Sequence, residues 1–386
     1  MVELDFALCG FSGPYDEYNP YYVTQHPERQ RIIIALHEEP QTISELAAKL
    51  NMDEHIVRQH VDALLRCGLA RIGNDGKVRL TFTVLLGQDL KKLEPVMNSL
   101  TKDLVEIARE NINNLKNIVK NIKCTQQGNF PELNYIILVA YTFDFEGLNV
   151  LSSEGYLVVT REMPGNRRYV FSAVDKSIIN LKSLFKWGHS YSTRNYEFFT
   201  HGNVSEYSPR LAFPDLATYV LLTQSDLGNY IDTILEASGK LLENLASCEL
   251  KLNDAISELE KYLRKEEAIL LLQFLASMGY VIYYPGKILR LGRPFLYKED
   301  VELILSFARN FIKKFIECSL SKRWSALKEV YMTTGPARHG VPIEEAFNII
   351  YHIVFSRAAL FLLEEGFLYL EYDRNGARYC AWVSVK

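Results

Sequence analysis

The feature that most restricts this chain is a set of matched residue pairs at nearly constant separation. ISEL occurs at Ile43 and again at Ile256, 213 residues on. Gly68 of RCGL and Gly279 of SMGY lie 211 apart, and DGKVRL meets PGKILRL with Gly76 and Gly286 separated by 210. Asp89 and Asp300, Pro131 and Pro342, Glu154-Gly155 and Glu365-Gly366, and Gly165 and Gly376 all keep the 211 spacing. Chance would scatter these separations, and the small shifts fall near predicted turns, where insertions are tolerated. The chain therefore reads as two related halves, about 27–175 and 241–386. Each is expected to hold a small helical unit ending in a hairpin, then a long helix, then a second helix ending in another hairpin.

The first helical unit is the most informative. RQRIIIALHEE suits a helix that Pro40 ends. Thr42 with Glu45 is a capping box opening a short helix to Leu50, and Asn51-Met52 forms a turn. Asp53 caps a third helix whose expected buried stripe is Ile56, Val57, Val61, Leu64 and Leu65. Gly68 stops that helix, and the strands Ala70 to Ile72 and Lys77 to Thr81 flank an Asn-Asp-Gly turn. Helix, helix, turn, helix and hairpin is the order of a winged helix-turn-helix.

The stretch ISELAAKLNMDEHIVRQHVDALLRCGLARI resembles the ArsR-like bacterial and archaeal transcription regulators over roughly 60 residues. Val57, His60, Val61 and Leu64, followed by Gly68-Leu69, carry the likeness to that family's recognition helix. The resemblance implies a fold able to bind double-stranded DNA. Metal-sensing members carry a cysteine pair here, whereas Cys67 stands alone, so no metal and no cofactor are expected. On the solvent face, His55, Arg58 and Gln59 suit base edges in the major groove, since Arg and Gln can form bidentate pairs there. Ser44 at the second helix's N-terminus suits a phosphate, and wing residues Arg71, Lys77 and Arg79 suit the adjacent backbone. Asp53, Glu54 and Asp62 work against phosphate binding.

The expected fold class is mainly α with small β-hairpins (α+β), built from tandem winged-helix units in duplicated halves joined by long helices. The segments are an N-terminal extension (1–26), a winged helix (27–86), a long helix (87–128) and a second winged-helix-like unit (129–175). A connector (176–240) with its own helix near Leu216 to Leu222 precedes a degenerate winged helix (241–297). A further long helix (298–335) and a C-terminal winged-helix-like unit (336–386) complete the order. The long helices could pair within one chain as a monomeric pseudo-dimer, or between chains in a homodimer. In the second half KEEAILLLQFLASMGY is apolar on nearly every face, which predicts a buried helix with Leu270 inside. A second basic patch is expected from Arg161, Arg167, Arg168, Lys182 and Lys186 among aromatics.

A net charge of −4 over 386 residues excludes a uniformly basic nucleic-acid coat. Six dispersed cysteines without a CxxC pair suit reduced thiols. The acidic start and the shortness of apolar runs such as YIILVAY predict a cytoplasmic protein without membrane segments. Arg338-His339-Gly340 has the letters of a phosphatase RHG motif but lacks the preceding strand, so it is read as a loop. His37 with Glu38 and Glu39 is read as a polar helix end. The sequence holds no HExxH, GxxxxGK[ST] or GxSxG, so no catalytic residue is assigned and the chain is expected not to be an enzyme. The leading reading is a DNA-binding transcription regulator. The alternative is a multi-winged-helix scaffold or transcription-machinery subunit acting through protein contacts, with the second half as the protein-binding side.

Overall fold

The computed structural model describes residues 2–126, 128–204, 210, 212–217, 228–373 and 376–386. The first half of the chain supplies β1 (Leu4–Phe11), α1 (Pro20–Thr24), α2 (Pro27–His37), α3 (Ile43–Leu50), α4 (Glu54–Arg66), β2 (Ala70–Ile72), β3 (Val78–Leu80) and β4 (Thr83–Leu85). It continues through α5 (Gly87–Glu110), α6 (Ile112–Asn121), α7 (Leu133–Ser153), β5 (Arg161–Met163) and β6 (Arg167–Asp175). Next come β7 (Trp187–Ser192), β8 (Tyr196–Gly202), α8 (Gly228–Ser247), β9 (Leu250–Lys251), α9 (Leu252–Leu259), α10 (Lys265–Ser277), β10 (Val281–Tyr284) and β11 (Ile288–Leu291). The chain closes with β12 (Phe295–Leu296), α11 (Lys298–Phe315), α12 (Ser321–Tyr331), α13 (Gly335–Arg338), α14 (Ile343–Glu364) and β13 (Tyr379–Val385). The class is mixed α and β with several small sheets, in line with the α+β expectation. Two compact units form, one from 1–104, 148–181 and 312–358, the other from 105–147, 182–311 and 359–386.

In the first unit, α2, α3 and α4 bury Ile32, Ile33, Leu36, Leu46, Val57, Val61 and Leu64 around one core. The capping box forms: Thr42 accepts from Glu45 N, and the Glu45 carboxylate accepts from Thr42 N at 2.7 Å. Asn51 takes a left-handed φ of 50°, turning the chain into α4. The 1–26 segment is more than an extension, because the whole of β1 pairs antiparallel with β6. β6 also pairs antiparallel with β5 and parallel with β4.

Residues 334–340 clasp this winged helix from behind. The buried Asp89 carboxylate meets His37 Nε2 at 2.5 Å and accepts from Gly335 N at 3.2 Å. His339 accepts from Leu80 N at Nδ1 (3.1 Å) and donates from Nε2 to Leu36 O (2.7 Å). One imidazole thereby ties the wing to α2.

In the second unit, α8, α9 and α10 precede the β10–β11 hairpin, to which β9 adds a strand. Its other sheet has β13 antiparallel to β8 and parallel to β12, with β7 at the edge beside β8. Asp300 accepts from Tyr297 N at 2.9 Å and Lys123 N at 3.3 Å. A buried polar network links Tyr135, His201 and Asp144, with both imidazole nitrogens partnered at 2.7 and 3.0 Å.

Several expectations need correction. The segments 129–175 and 336–386 do not fold as separate helix-turn-helix units. The first supplies one long helix and the expected hairpin, β5 and β6, and the second one long helix and β13; β6 and β13 complete sheets begun elsewhere in the chain. The first long helix breaks at Asn111, and the second passes through a π-helical stretch, Ile316–Leu320. The connector carries two strands, and the helix opening the second winged unit begins at Gly228, upstream of the expected 241. Its anticipated helix near Leu216 to Leu222 lies mostly outside the described residues, although 213–217 is helical.

α7 and α14, of 21 and 22 residues, are long and apolar enough by composition to cross a bilayer. Their most apolar stretches are 78% and 83% buried within the protein, as in core helices. The short apolar runs understated them, because α7 continues through Thr142 and Asp144. Its middle, Ile136–Phe145, is π-helical, and Thr142 Oγ1 donates to Ile137 O there.

Candidate nucleic-acid interface

α4 is fixed from both ends and from beneath. Asp53 accepts from His55 N and Ile56 N at its start, while Cys67 and Gly68 close it with backbone bonds to Ala63 and Leu65. Val57, Val61 and Leu64 anchor it with no exposure. Leu65 is only half-buried and Ile56 is exposed, so the stripe is narrower than expected. The outward face presents His55, Arg58, Gln59, Asp62 and Arg66.

The site is organised by Glu54. Its carboxylate accepts from Ser44 Oγ at 2.8 Å and Arg58 at 3.1 Å, while Gln59 Nε2 lies 3.0 Å from His55 Nε2. Arg58 and Gln59 therefore stand side by side, each lightly held by a neighbour one turn earlier. Exposed pairs of this kind contribute roughly 0.2–1 kcal/mol, little enough for a base edge to displace them. Sequence reasoning treated Glu54 only as a repulsive charge, although its i, i+4 spacing to Arg58 was readable.

The wing is less available. Arg79 makes a bidentate pair with Asp75 at 2.7 Å, and that Arg79 bond holds the Asp75 carboxyl well below its ordinary range. Arg71 leans on His339 O at 3.4 Å. Lys77 is partly exposed and close enough to Glu45 to help lower that carboxyl, after the Thr42 hydrogen bonds. Arg66, not selected from sequence, bonds Glu17 at 2.6 Å. Most of the positive charge is thus internally matched.

The proposed second basic patch does not stand as an exposed cationic surface. Arg167 is buried, gripping Asp16 at 2.6 Å. Arg161 donates to Thr81 O and pairs with Glu345 at 3.1 Å. Lys186 is buried over the Trp187 ring, and Lys182 is half-buried. Only Arg168 is largely exposed, with a distant pairing to Glu162. These cations are used to join strands and loops, which sequence proximity alone could not reveal.

The RHG letters are explained by the clasp, where Arg338 donates to Glu38 O at 2.6 Å and His339 bridges Leu80 and Leu36. His37 pairs with Asp89, so it is a buried contact and not the polar helix end expected. Cys67 is buried, donating to Tyr18 O, and burial pushes its thiol up to about 11. Among the described residues, no three His, Cys, Asp or Glu side chains gather as metal ligands.

The helix expected to match α4 in the second half corrects the largest sequence error. α10 buries Ala268, Leu271, Leu272 and Leu275 but leaves Leu270 64% exposed. On its outward face Ile269 and Leu270 are exposed, while Phe274 packs edge-on against Phe213 at 5.8 Å.

No curated protein and no solved structure matches this chain. Residues 26–71 match the profile described as bacterial regulatory protein, arsR family, and the N-terminal winged helix is accordingly an ArsR-type unit.

Proposed function

We propose that this protein is a transcription regulator that reads the major groove of double-stranded DNA with α4. An ArsR-type helix-turn-helix points to DNA-binding regulation. The observation carrying the specific reading is the exposed Arg58 and Gln59, adjacent on a helix held from below by Val57, Val61 and Leu64. The two side chains offer donor forks for guanine and adenine edges. Lys77 flanks them as a phosphate contact, while Ser44, Arg71 and Arg79 would first have to leave their present partners. We infer further that the halves arose by duplication, supported by the shared strand pattern: β4 runs parallel to β6, and β12 parallel to β13. A cytoplasmic, non-enzymatic role fits this reading.

The scaffold reading retains one specific support, the matched charges around α4 combined with the apolar face of α10. Selection of DNA from a random library by the purified chain tests the choice. An enriched motif lost in Arg58→Ala/Gln59→Ala is the expected outcome. No binding at low salt would leave the scaffold reading in its place.

A further inference from the structure

We propose that Glu54 sets how selectively this protein binds DNA: its carboxylate turns away backbone phosphates and yields Arg58 only to a guanine edge. This role rests on the reading of α4 as the DNA-contacting helix, and it concerns discrimination between sequences, not contact. Glu54 opens α4, directly after its cap Asp53. One carboxylate oxygen accepts from Ser44 Oγ in the first turn of α3 at 2.8 Å, and the other accepts from Arg58 at 3.1 Å. The carboxylate thus joins the first turns of both helices of the motif, while its own side chain and that of Arg58 stay half exposed.

Helix N-termini carry partial positive charge and free amides, which suits them to backbone phosphates. Here both ends are already supplied with anions. Glu45 accepts from Thr42 N and Thr42 Oγ1 at the start of α3, and Asp53 accepts from His55 N and Ile56 N at the start of α4. Glu54 follows Asp53 and reaches Ser44, the neighbour of Glu45. A phosphate brought to this corner meets three exposed carboxylates. Nearby cations do not offset them: Arg66 is held by Glu17 and Arg79 by Asp75. Lys77, close enough to act on the Glu45 carboxyl, is one charge against three.

Arg58 decides what can still bind. Leaving Glu54 costs it one hydrogen bond, and guanine O6 and N7 return two in the plane of the guanidinium. A phosphate offers Arg58 oxygens too, but it sets a second anion beside Glu54, and like charges at that range repel even through water. Base edges carry no net charge and escape that penalty. A duplex offering only its backbone is therefore refused, and one presenting guanine to Arg58 is accepted.

The test titrates the full chain, by fluorescence anisotropy, against the duplex enriched from a random library and a scrambled duplex of equal length and composition. Glu54→Gln keeps an acceptor for Ser44 and removes the charge. It should bind the scrambled duplex roughly tenfold more tightly than the wild type does, the effect of one screened unit charge a few ångströms from a phosphate. Its gain on the enriched duplex should be smaller, so the ratio between the two duplexes falls. The salt dependence should steepen as Arg58 becomes free for phosphate. Glu54→Asp keeps the charge and should recover most of the discrimination. A wild type that prefers the enriched duplex while Glu54→Gln keeps the same ratio, or Glu54→Asp loses it equally, overturns the role of Glu54 and leaves the reading of α4 standing. Absence of binding to either duplex at low salt, in wild type and Glu54→Gln alike, overturns the reading of α4 and this role with it.

Discussion

The helices α4 and α10 each follow a shorter helix and lead into a small hairpin, yet their outward faces have opposite chemistry. α4 shows His55, Arg58, Gln59, Asp62 and Arg66, whereas α10 shows Ile269, Leu270, Gln273, Phe274 and Ser277. The inner faces agree, with Val57, Val61 and Leu64 on one and Ala268, Leu272 and Leu275 on the other. The lesson is that the buried stripe specifies the fold while the outer face is available to change. Backing differs too. Behind the first unit Asp89 holds a histidine and a glycine amide, while Asp300 holds two backbone amides.

The largest expected effect breaks the clasp of the first unit alone. A Cβ at Gly335 would overlap the His37 ring, which is buried and cannot yield without losing Asp89. Gly335→Ala should cost about 3 kcal/mol, measured by urea unfolding. A variant within experimental error of wild type would show that the clasp gives way cheaply.

Next is the DNA comparison. Each of Arg58→Ala and Gln59→Ala should cost about 1–3 kcal/mol of discrimination between the selected sequence and a mismatch. Gln273→Ala, on the corresponding face of α10, should leave DNA affinity unchanged in fluorescence anisotropy titrations. A loss from Gln273→Ala equal to that from Gln59→Ala would erase the distinction between the helices. Since Arg66 and Arg79 already hold carboxylates, the salt dependence should also be shallow for a winged helix.

A pH effect should follow from His339. Burial keeps this imidazole below its ordinary range, partly offset by its bond to Leu36, and the nearby His37, Arg338 and Arg79 add to the lowering. The unfolded chain takes up the proton near pH 6.5, while the folded chain does so only at lower pH. Stability should therefore fall as pH drops below about 6.5, because the unfolded state then binds more protons. His60 is shifted the same way, by burial first and then by His26 and Arg29. His339→Gln supplies both an acceptor and a donor, so its melting temperature should fall less steeply on acidification than that of the wild type. An unaltered slope would assign the effect to other groups.

The smallest test concerns the caps. α3 has its Thr42/Glu45 box, while Lys251 gives α9 no side-chain cap. Thr42→Ala should cost about 1 kcal/mol and Lys251→Thr should return about 0.5 kcal/mol in chemical denaturation. A gain of zero at Lys251 would mean that its strand pairing with Ile288 already satisfies that helix start.

Local signals made the first winged helix legible. The cap residues, the turn at Asn51 and the buried stripe all act over a few residues, so sequence spacing is enough to find them. The exposed Arg58 and Gln59 followed from the same periodicity. Partners far apart in sequence were beyond such reasoning. Nothing near His37 announces Asp89, and nothing near Arg167 announces Asp16, the carboxylate that consumes its charge. β1 looked like a loose lead-in because its partner strand lies over 150 residues away. The error at α10 has another source: only Ala268, Leu271, Leu272 and Leu275 face the core, and the apolar Ile269 and Leu270 between them stay exposed to water, which composition alone does not reveal.

The interleaving of the chain within each unit has a consequence for synthesis. The first 104 residues belong to a unit that is completed only by residues 312–358. At about 5–20 residues per second, the ribosome takes roughly 10–40 s to cover that interval. Through it Asp89 lacks Gly335, and Leu36 O and Leu80 N lack His339. A nascent chain stalled or truncated in the connector therefore carries the first winged helix without its backing, a species exposed to chaperones and proteases.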